Sequence, residues 1–397
     1  MPAPPRPSIH LLPGHAKRLR HGHPWAYSNE LRMDAEAKAL PPGSVVRVLD
    51  VGGEALGCAI FNPHSLIAAR LLADDPDAVI DREFFRARLE AAVALRARLF
   101  DEPYYRLAHA EADRLPGLAI DRFGDVLAVQ ANSAGMDRLL PELLAALDEM
   151  FSPRAVVLRS DSPARTHEGL ERSVSVASGV IDGPVEVHED GVRYLADPVA
   201  GQKTGWYFDQ RSSRSFIARL SGNGRVLDLY SYSGGFALRA AAAGARHVVA
   251  VDRSEAALAL GERSAELNGV AARCRFVRAE AFAEMARLAA DGERYDVVVA
   301  DPPSFVKSRK ELKPGLRGYR KMTRLAATLT APGGYLFVAS CSHNVEPQAF
   351  AEAVRRGLAD AGRSGRVLRA AGAAPDHPQH PALPESAYLK SLTLRLD

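Results

Sequence analysis

From Arg225 onward the chain alternates apolar runs of strand length with stretches of helix length. The runs are 225–229, 247–252, 275–277, 295–300 and 335–339, and the helical stretches between them are 236–243, 254–267, 281–288 and one near 319–329. Alternation of this kind predicts an α/β fold, a doubly wound parallel sheet with right-handed crossovers. In such sheets, ligands and reacting groups gather outside the carboxyl ends of the strands. Two strings occupy that position. Asp301-Pro302-Pro303-Ser304-Phe305 follows the run 295–300, and Ser340-Cys341-Ser342 follows 335–339, so an acid and a thiol leave two strands toward one pocket.

The preceding residues follow a different pattern. Runs 45–49, 55–61 (after a Gly52-Gly53 turn) and 66–72 read as a small β domain, closed by Asp74-Asp75-Pro76-Asp77. A helix over 82–99, with Phe84, Phe85, Leu89, Val93 and Leu95 as an uneven apolar stripe, leads to strands 118–121 and 126–131 around Arg122-Phe123-Gly124-Asp125. A helix over 136–150 and a strand over 155–159 complete a compact α+β middle domain. The pattern changes at Asp190-Gly191, which gives an expected division into 1–75, 76–190 and 191–397.

At 397 residues, 47% hydrophobic and 25% charged, the chain is long enough for two or three domains with substantial cores. Cysteines at 58, 274 and 341 form neither an even framework nor a C-x-x-C pair, which supports no disulfide scaffold and no zinc site. Cys58 and Cys274 lie within apolar runs and read as core. Residues 1–14 are Pro-rich and lack the apolar core of roughly 7–15 residues that export requires. No run of about 18 apolar residues appears either, so the expectation is a cytoplasmic protein outside the membrane. The net charge of +3 says little about partners, and only 8 of the 51 basic residues are lysine. Placement says more: Lys307, Arg309, Lys310, Lys313, Arg317, Arg320, Lys321 and Arg324 share one stretch with a single acid, Glu311. It begins just after Asp301, where substrate must enter, and suits phosphate contact.

The first strand-to-helix turn runs Asp228-Leu229-Tyr230-Ser231-Tyr232-Ser233-Gly234-Gly235-Phe236. Adjacent glycines let the backbone approach a ligand, and the helix that follows offers unpaired N–H groups. The G-x-G-x-x-G of a dinucleotide fold is absent. Asp252, followed by Arg253 and Ser254, ends the second strand, where a carboxylate binds ribose hydroxyls in such folds. Asp228 attracts a cation, and no phosphate cradle with a following lysine is present. S-adenosylmethionine carries a sulfonium and an ammonium but no phosphate, so the turn suits a methyl donor better than NAD or ATP.

Methylating C5 of a cytosine needs covalent help because that carbon is a poor nucleophile. A thiolate adding to C6 raises electron density at C5, and Cys341 is the candidate for that thiolate. Asp301 is placed to hold a proton against the N3 edge of the base. Phe305 and Tyr319 are either stacking platforms for a base drawn out of its helix or ordinary packing.

These strings, with Lys203-Thr204-Gly205-Trp206-Tyr207-Phe208-Asp209-Gln210-Arg211, Arg317-Gly318-Tyr319, Asp376-His377-Pro378 and Tyr388-Leu389-Lys390, resemble the large-subunit (23S) ribosomal RNA cytosine-C5 methyltransferases that carry an N-terminal PUA domain. Upstream, His23-Pro24-Trp25, Leu115-Pro116-Gly117-Leu118 and Asp121-Arg122-Phe123-Gly124 fit the same family. The resemblance implies a PUA domain to about residue 75, a central EEHEE-type domain to about 190, and a Rossmann-like class I methyltransferase domain using S-adenosylmethionine. It also implies Cys341 as nucleophile, a homodimer, free or partly assembled 23S RNA as substrate, and Lys203 to Arg211 packed against the donor with Gln210 in contact. Tyr230, Ser231, Ser233, Gly234, Gly235 and Phe236 would then line the donor pocket with Asp228, Asp252, Arg253 and Ser254. Glu280, Ala281, Asp301 and Pro302 would close it. One departure stands out: where the family often has Asp after the third strand, this chain has Ala279-Glu280.

Two other readings compete. In an exocyclic-amine methyltransferase, an Asp/Asn-Pro-Pro-aromatic turn holds the amino group and no thiol is needed; here Ser304 separates the prolines from Phe305. The non-enzyme alternative is an RNA-binding ribosome-assembly protein with an idle donor site.

Overall fold

The computed structural model describes residues 6–397. Its chain divides into two units. The first comprises residues 6–185 with Asp197–Trp206 and Asp376–Ser386, and the second comprises Glu186–Ala196, Tyr207–Pro375 and Ala387–Asp397.

The first unit contains two five-stranded sheets. One is built from Ser8–His10, Trp25–Ala26, Ser44–Leu49, Ala55–Phe61 and Ala69–Ala73. Its core includes Ile9, Val46, Val48, Ala59 and Phe61. The other joins Tyr104–His109, Leu118–Phe123, Val126–Ala131, Ala155–Ser160 and Ser173–Gly179, with helices Arg82–Arg96 and Leu140–Phe151 packed together. The sequence reading found only the middle three of these strands. Tyr104–His109 mixes aromatic and charged residues, and every residue of Ser173–Gly179 is exposed, so neither carries an apolar run. The strand expected over 66–72 begins at Ala69, and the helix expected over 136–150 is two, Ala134–Arg138 and Leu140–Phe151. Asp376 and His377 are both buried, 2.9 Å apart from Oδ1 to Nδ1, and the Arg106 N–H donates to Asp376 Oδ2 at 3.0 Å.

The second unit holds a hairpin, Val185–Glu189 and Val192–Ala196, and a seven-stranded sheet. We number its strands β1 Arg225–Leu229, β2 His247–Asp252, β3 Cys274–Arg278, β4 Tyr295–Ala300, β5 Thr330–Ser340, β6 Gly365–Ala371 and β7 Lys390–Leu396. The helices are α1 Arg211–Leu220, α2 Gly235–Ala242, α3 Glu255–Leu267, α4 Ala281–Ala290, α5 Leu312–Leu329 and α6 Pro347–Asp360. The strand order is β3-β2-β1-β4-β5-β7-β6, parallel from β3 to β5, with β7 antiparallel to both neighbours. The central strands are continuous apolar runs, as burial on both faces requires.

Helix α5 buries Gly315, Tyr319, Met322, Ala326 and Leu329 along one stripe, leaving Lys313, Arg317, Arg320, Lys321 and Arg324 exposed. The α1, α6, β6 and β7 segments lie outside the sequence expectations, and α5 starts seven residues before the helix expected near 319. Its first two turns carry Pro314, Gly315 and Gly318, which mask a helix in the sequence, although proline is tolerated in a first turn. Among the described residues, no helix is long and apolar enough to cross a membrane, and no group of three or more His, Cys, Asp and Glu side chains gathers as a metal site.

Candidate active site

Sheet register brings the strand ends together. Leu229 at the end of β1 pairs with Ala300 at the end of β4, so Tyr230 and Asp301 leave adjacent strands at the same level. Ala300 pairs in turn with Val338 of β5, and Ser340 pairs with Lys390 at the start of β7. Cys341 therefore emerges beside Lys390, at the same edge of the sheet as Asp301.

After β1 the chain takes left-handed conformations at Tyr230 (φ 61°), Tyr232 (φ 52°) and Gly234 (φ 79°). Such backbone costs on the order of 1–3 kcal/mol per non-glycine residue and persists where surrounding bonds impose it. Here the Ser231 N–H donates to the Val251 carbonyl at 3.0 Å and the Tyr232 N–H to Asp252 Oδ2 at 2.9 Å. Asp252 Oδ1 also accepts from the Ser254 N–H at 2.8 Å, and Ser254 Oγ caps α3. Arg253 between them is exposed. Glu280 caps α4 through the Ala283 N–H at 2.9 Å.

Asp228 is buried beneath this loop and accepts the Ala237 N–H at 2.9 Å. Burial pushes its carboxyl up to about 8; the charges of Asp301 and Asp252 add to the effect, and the Ala237 bond opposes it. Tyr230 Oη, Ser231 Oγ, Ser233 Oγ and Gln210 Oε1 are buried with no hydrogen-bond partner among the described residues. A buried polar atom left unpaired costs about 1–3 kcal/mol, so this cluster around an acid fits a cationic ligand with polar edges. S-adenosylmethionine meets that description.

The other face of the site is a network. Gln210 Nε2 donates to Asp301 Oδ2 at 2.8 Å. Both serines flanking Cys341 bond the buried Tyr319 hydroxyl, Ser340 Oγ at 2.9 Å and Ser342 Oγ at 2.8 Å. Ser342 Oγ also lies 2.8 Å from Ser304 Oγ, which locks the turn after β5 to the Asp301–Phe305 loop. Cys341 between them is partly exposed. Burial raises the Tyr207 phenol well above its ordinary value, and the charges of Tyr232, Asp209, Asp301 and Cys341 all act on it in the same direction. Asp301 and Cys341 thus share one neighbourhood.

The structure revises several expectations. Tyr319 is fully buried, with its ring 4.8 Å from that of Phe305, and serves as packing and as the hub of the serine network rather than as a stacking platform. Cys58 is core, but Cys274 is partly exposed because β3 is an edge strand with one neighbour. The Lys203–Arg211 string splits: Thr204 belongs to the first unit, where its hydroxyl donates to Asp121 Oδ2 at 2.5 Å, and Gln210 belongs to the second. Of the basic stretch, Lys307, Arg309, Lys310, Lys313 and Arg317 are exposed, Arg320 is tied to Asp360 at 2.6 Å, and the Lys321 ammonium sits 4.9 Å from the Phe282 ring centre.

Fold and pocket together define the class, a methyltransferase that draws on S-adenosylmethionine. A family model for S-adenosylmethionine-dependent methyltransferases matches residues 171–395, and a PUA-like model matches 9–74. The chain is 37% identical over 386 residues to ribosomal RNA large subunit methyltransferase I of Cronobacter sakazakii, covering 96% of this chain and 97% of that one. It is 36% identical to the protein of that name from Klebsiella pneumoniae, covering 98% of each. A Streptococcus mutans protein assigned as a methyltransferase of this class superposes with a TM-score of 0.81 at 20% identity, over 98% of this chain and 100% of that one. A second solved chain, complexed with S-adenosylhomocysteine, gives 0.83 at 19% identity over the same shares. These two likenesses establish the fold. The chain belongs to the S-adenosylmethionine-dependent methyltransferase family, within the group of ribosomal RNA large subunit methyltransferase I.

Proposed function

We propose that this protein methylates C5 of a cytosine in 23S ribosomal RNA through a transient bond between Cys341 Sγ and C6 of the base. The observation that carries the reading is the tie between the Cys341 turn and the Asp301–Phe305 loop through Ser342, Ser304 and Tyr319, which fixes a thiol and an acid in one neighbourhood. Bound S-adenosylmethionine supplies an electrophilic methyl group on a sulfonium. Asp228 would hold its cationic end, Asp252 its ribose and Glu280 its adenine, with the unpaired oxygens of Ser231, Ser233 and Gln210 completing the pocket.

The Cys341 thiolate forms the S–C6 bond, and the displaced π electrons of C5=C6 form the new C5–methyl bond as the sulfonium–methyl bond breaks. Asp301, oriented by Gln210, holds a proton at N3 and offsets the charge gathering on the ring. Loss of the C5 proton to solvent then restores C5=C6, breaks the C6–S bond and regenerates the thiolate. The exposed Lys307, Arg309, Lys310, Lys313 and Arg317 meet RNA phosphates, with Arg320 and Lys321 at the margin of the patch. Residues 1–75 and 76–190 form the PUA and central domains, 191–397 the catalytic domain, and the working form is a cytoplasmic homodimer, a state light scattering measures.

Cys341→Ala is the test. The variant is expected to bind donor normally and to yield no 5-methylcytosine in nucleoside mass spectrometry of 23S RNA, and RNA carrying 5-fluorocytosine is expected to trap a covalent complex with the unsubstituted chain only. Retained methyl transfer in the variant, with product on an exocyclic amine, would refute the reading.

A further inference from the structure

Lys390 has no role in the chemistry above, yet it is a buried lysine at the reacting edge of the sheet. It opens β7 opposite Ser340, one residue before Cys341, and is only 9% exposed. Its Nζ donates to the Ser342 carbonyl at 2.6 Å and the Val345 carbonyl at 2.7 Å. An ammonium has three donors, and these bonds use two of them. The carbonyls belong to the turn that carries Cys341, so the lysine grips the backbone on one side while Tyr319 grips the serine hydroxyls on the other.

We propose that Lys390 is a positioning residue for Cys341: its ammonium pins the Ser342–Val345 turn and supplies the fixed positive charge against which the Cys341 thiolate forms. A cation beside a cysteine favours the thiolate, the form that attacks carbon. The charge is held in a low-dielectric setting, where it acts more strongly than at the surface. Burial lowers the lysine's affinity for its proton, while the charges of Cys341 and Glu346 act to restore it, so the coupling is visible from the lysine's side. The other titratable groups acting in this neighbourhood are the phenols of Tyr207, Tyr232 and Tyr319 and the acids Asp209 and Asp301. Tyr319 of α5 and Tyr207 ahead of α1 both feel the Cys341 charge, and Asp301 acts on Tyr207. The His343 and Tyr388 rings lie 5.4 Å apart. Burial keeps both Tyr207 and Tyr319 neutral through the physiological range, so neither phenol competes with the Lys390 ammonium for the thiolate.

The inference rests on the proposed nucleophile, but its test does not require methyl transfer. Full-length protein without RNA or donor is alkylated with iodoacetamide across pH 5–10, and the rate at the Cys341 peptide is read by mass spectrometry. In Lys390→Met the midpoint is expected to move up by about one unit, an approximately tenfold slower reaction at pH 7. Lys390→Arg is expected to hold the unsubstituted midpoint, which a purely structural role would not predict. S-adenosylhomocysteine binding reports that each variant is folded. A Met variant that binds S-adenosylhomocysteine but alkylates like the unsubstituted chain overturns the proposal.

Should Lys390→Met fail to fold, the reciprocal measurement replaces it. Coupling between two sites is mutual, so Cys341→Ser must lower the titration midpoint of Lys390, followed by carbon NMR of the reductively methylated chain; an unmoved Lys390 resonance overturns the proposal equally. If Cys341→Ala retains methyl transfer while these shifts appear, the cytosine-C5 reading fails and the lysine–thiolate pairing stands.

Discussion

Donor binding should release a proton, and Asp228 is its source. Without ligand, its buried carboxyl titrates at about 8, because burial and the charges of Asp252 and Asp301 penalise the ionised form. A sulfonium and an ammonium placed against it reverse that balance, so the donor binds the carboxylate. At pH 7 about nine molecules in ten carry the proton, which makes the apparent dissociation constant about elevenfold weaker than its high-pH limit, and about a hundredfold weaker at pH 6. The slope is one decade per pH unit below 8, about 1.4 kcal/mol each, and flattens above.

Titration calorimetry from pH 6 to 9, in buffers of different ionisation heat, measures both the slope and the proton count, about 0.9 at pH 7. Asp228→Asn removes the titrating group but keeps an oxygen for the Ala237 N–H, and its residual slope is that of the ligand's own amine. The sign carries over to stability. A carboxyl whose pKa is raised on folding contributes stability below its unfolded value and loses it as pH rises through about 8, so donor-induced thermal stabilisation should be larger at pH 8.5 than at 6.5. A pH-independent affinity, or the same slope in Asp228→Asn, would refute the reasoning.

Three further outcomes follow from other parts of the fold. Replacing Lys307, Lys310 and Lys313 with Gln should reduce the slope of log affinity for single-stranded RNA against log salt by about 2, from roughly 0.7 per phosphate contact; filter binding at several ionic strengths reads it. Gly315→Ala should destabilise by about 1–3 kcal/mol in denaturant melts, because the added Cβ falls on Val306 Cγ2 and 2.7 Å from the Phe305 carbonyl oxygen. Arg214→Met should cost up to about 3–5 kcal/mol, since Arg214 holds the buried Glu189 carboxylate through two bonds of 2.7 Å and Arg211 approaches it only at 3.5 Å; adding Glu189→Gln should restore part of the loss.

The strands that carry the site were legible because burial on both faces forces continuous apolar runs, as in Val297 to Ala300. The proposed acid and thiol were legible because they stand one and two residues past such runs. Lys390 and the Ser340–Tyr319–Ser342 network were not, because each is a long-range pairing. Nothing local to Tyr319 announces a bond to serines 21 and 23 residues away, and nothing local to Lys390 announces an antiparallel strand inserted beside β5. The exposed strand Ser173–Gly179 escaped for the opposite reason, since its pairing with Ala155–Ser160 needs no continuous apolar run, only the exposed Val174 and Val176.

What the sequence hid bears on which chemistry the site performs. An exocyclic-amine methyltransferase needs its Asp-Pro-Pro turn only to grip an amino group, and the residue after the second strand end is then indifferent. Here both serines around Cys341 are spent on holding that turn, through one tyrosine, to the loop bearing the acid. Ser304, which looked like an interruption of the Asp-Pro-Pro-aromatic pattern, supplies the loop's half of the tie. Replacing Ser342 with Ala should therefore lower the turnover number while leaving donor affinity unchanged, because the residue supports the relative placement of thiol and acid. If Ser342→Ala instead weakens donor binding and leaves turnover intact, the two loops do not act as one reacting unit.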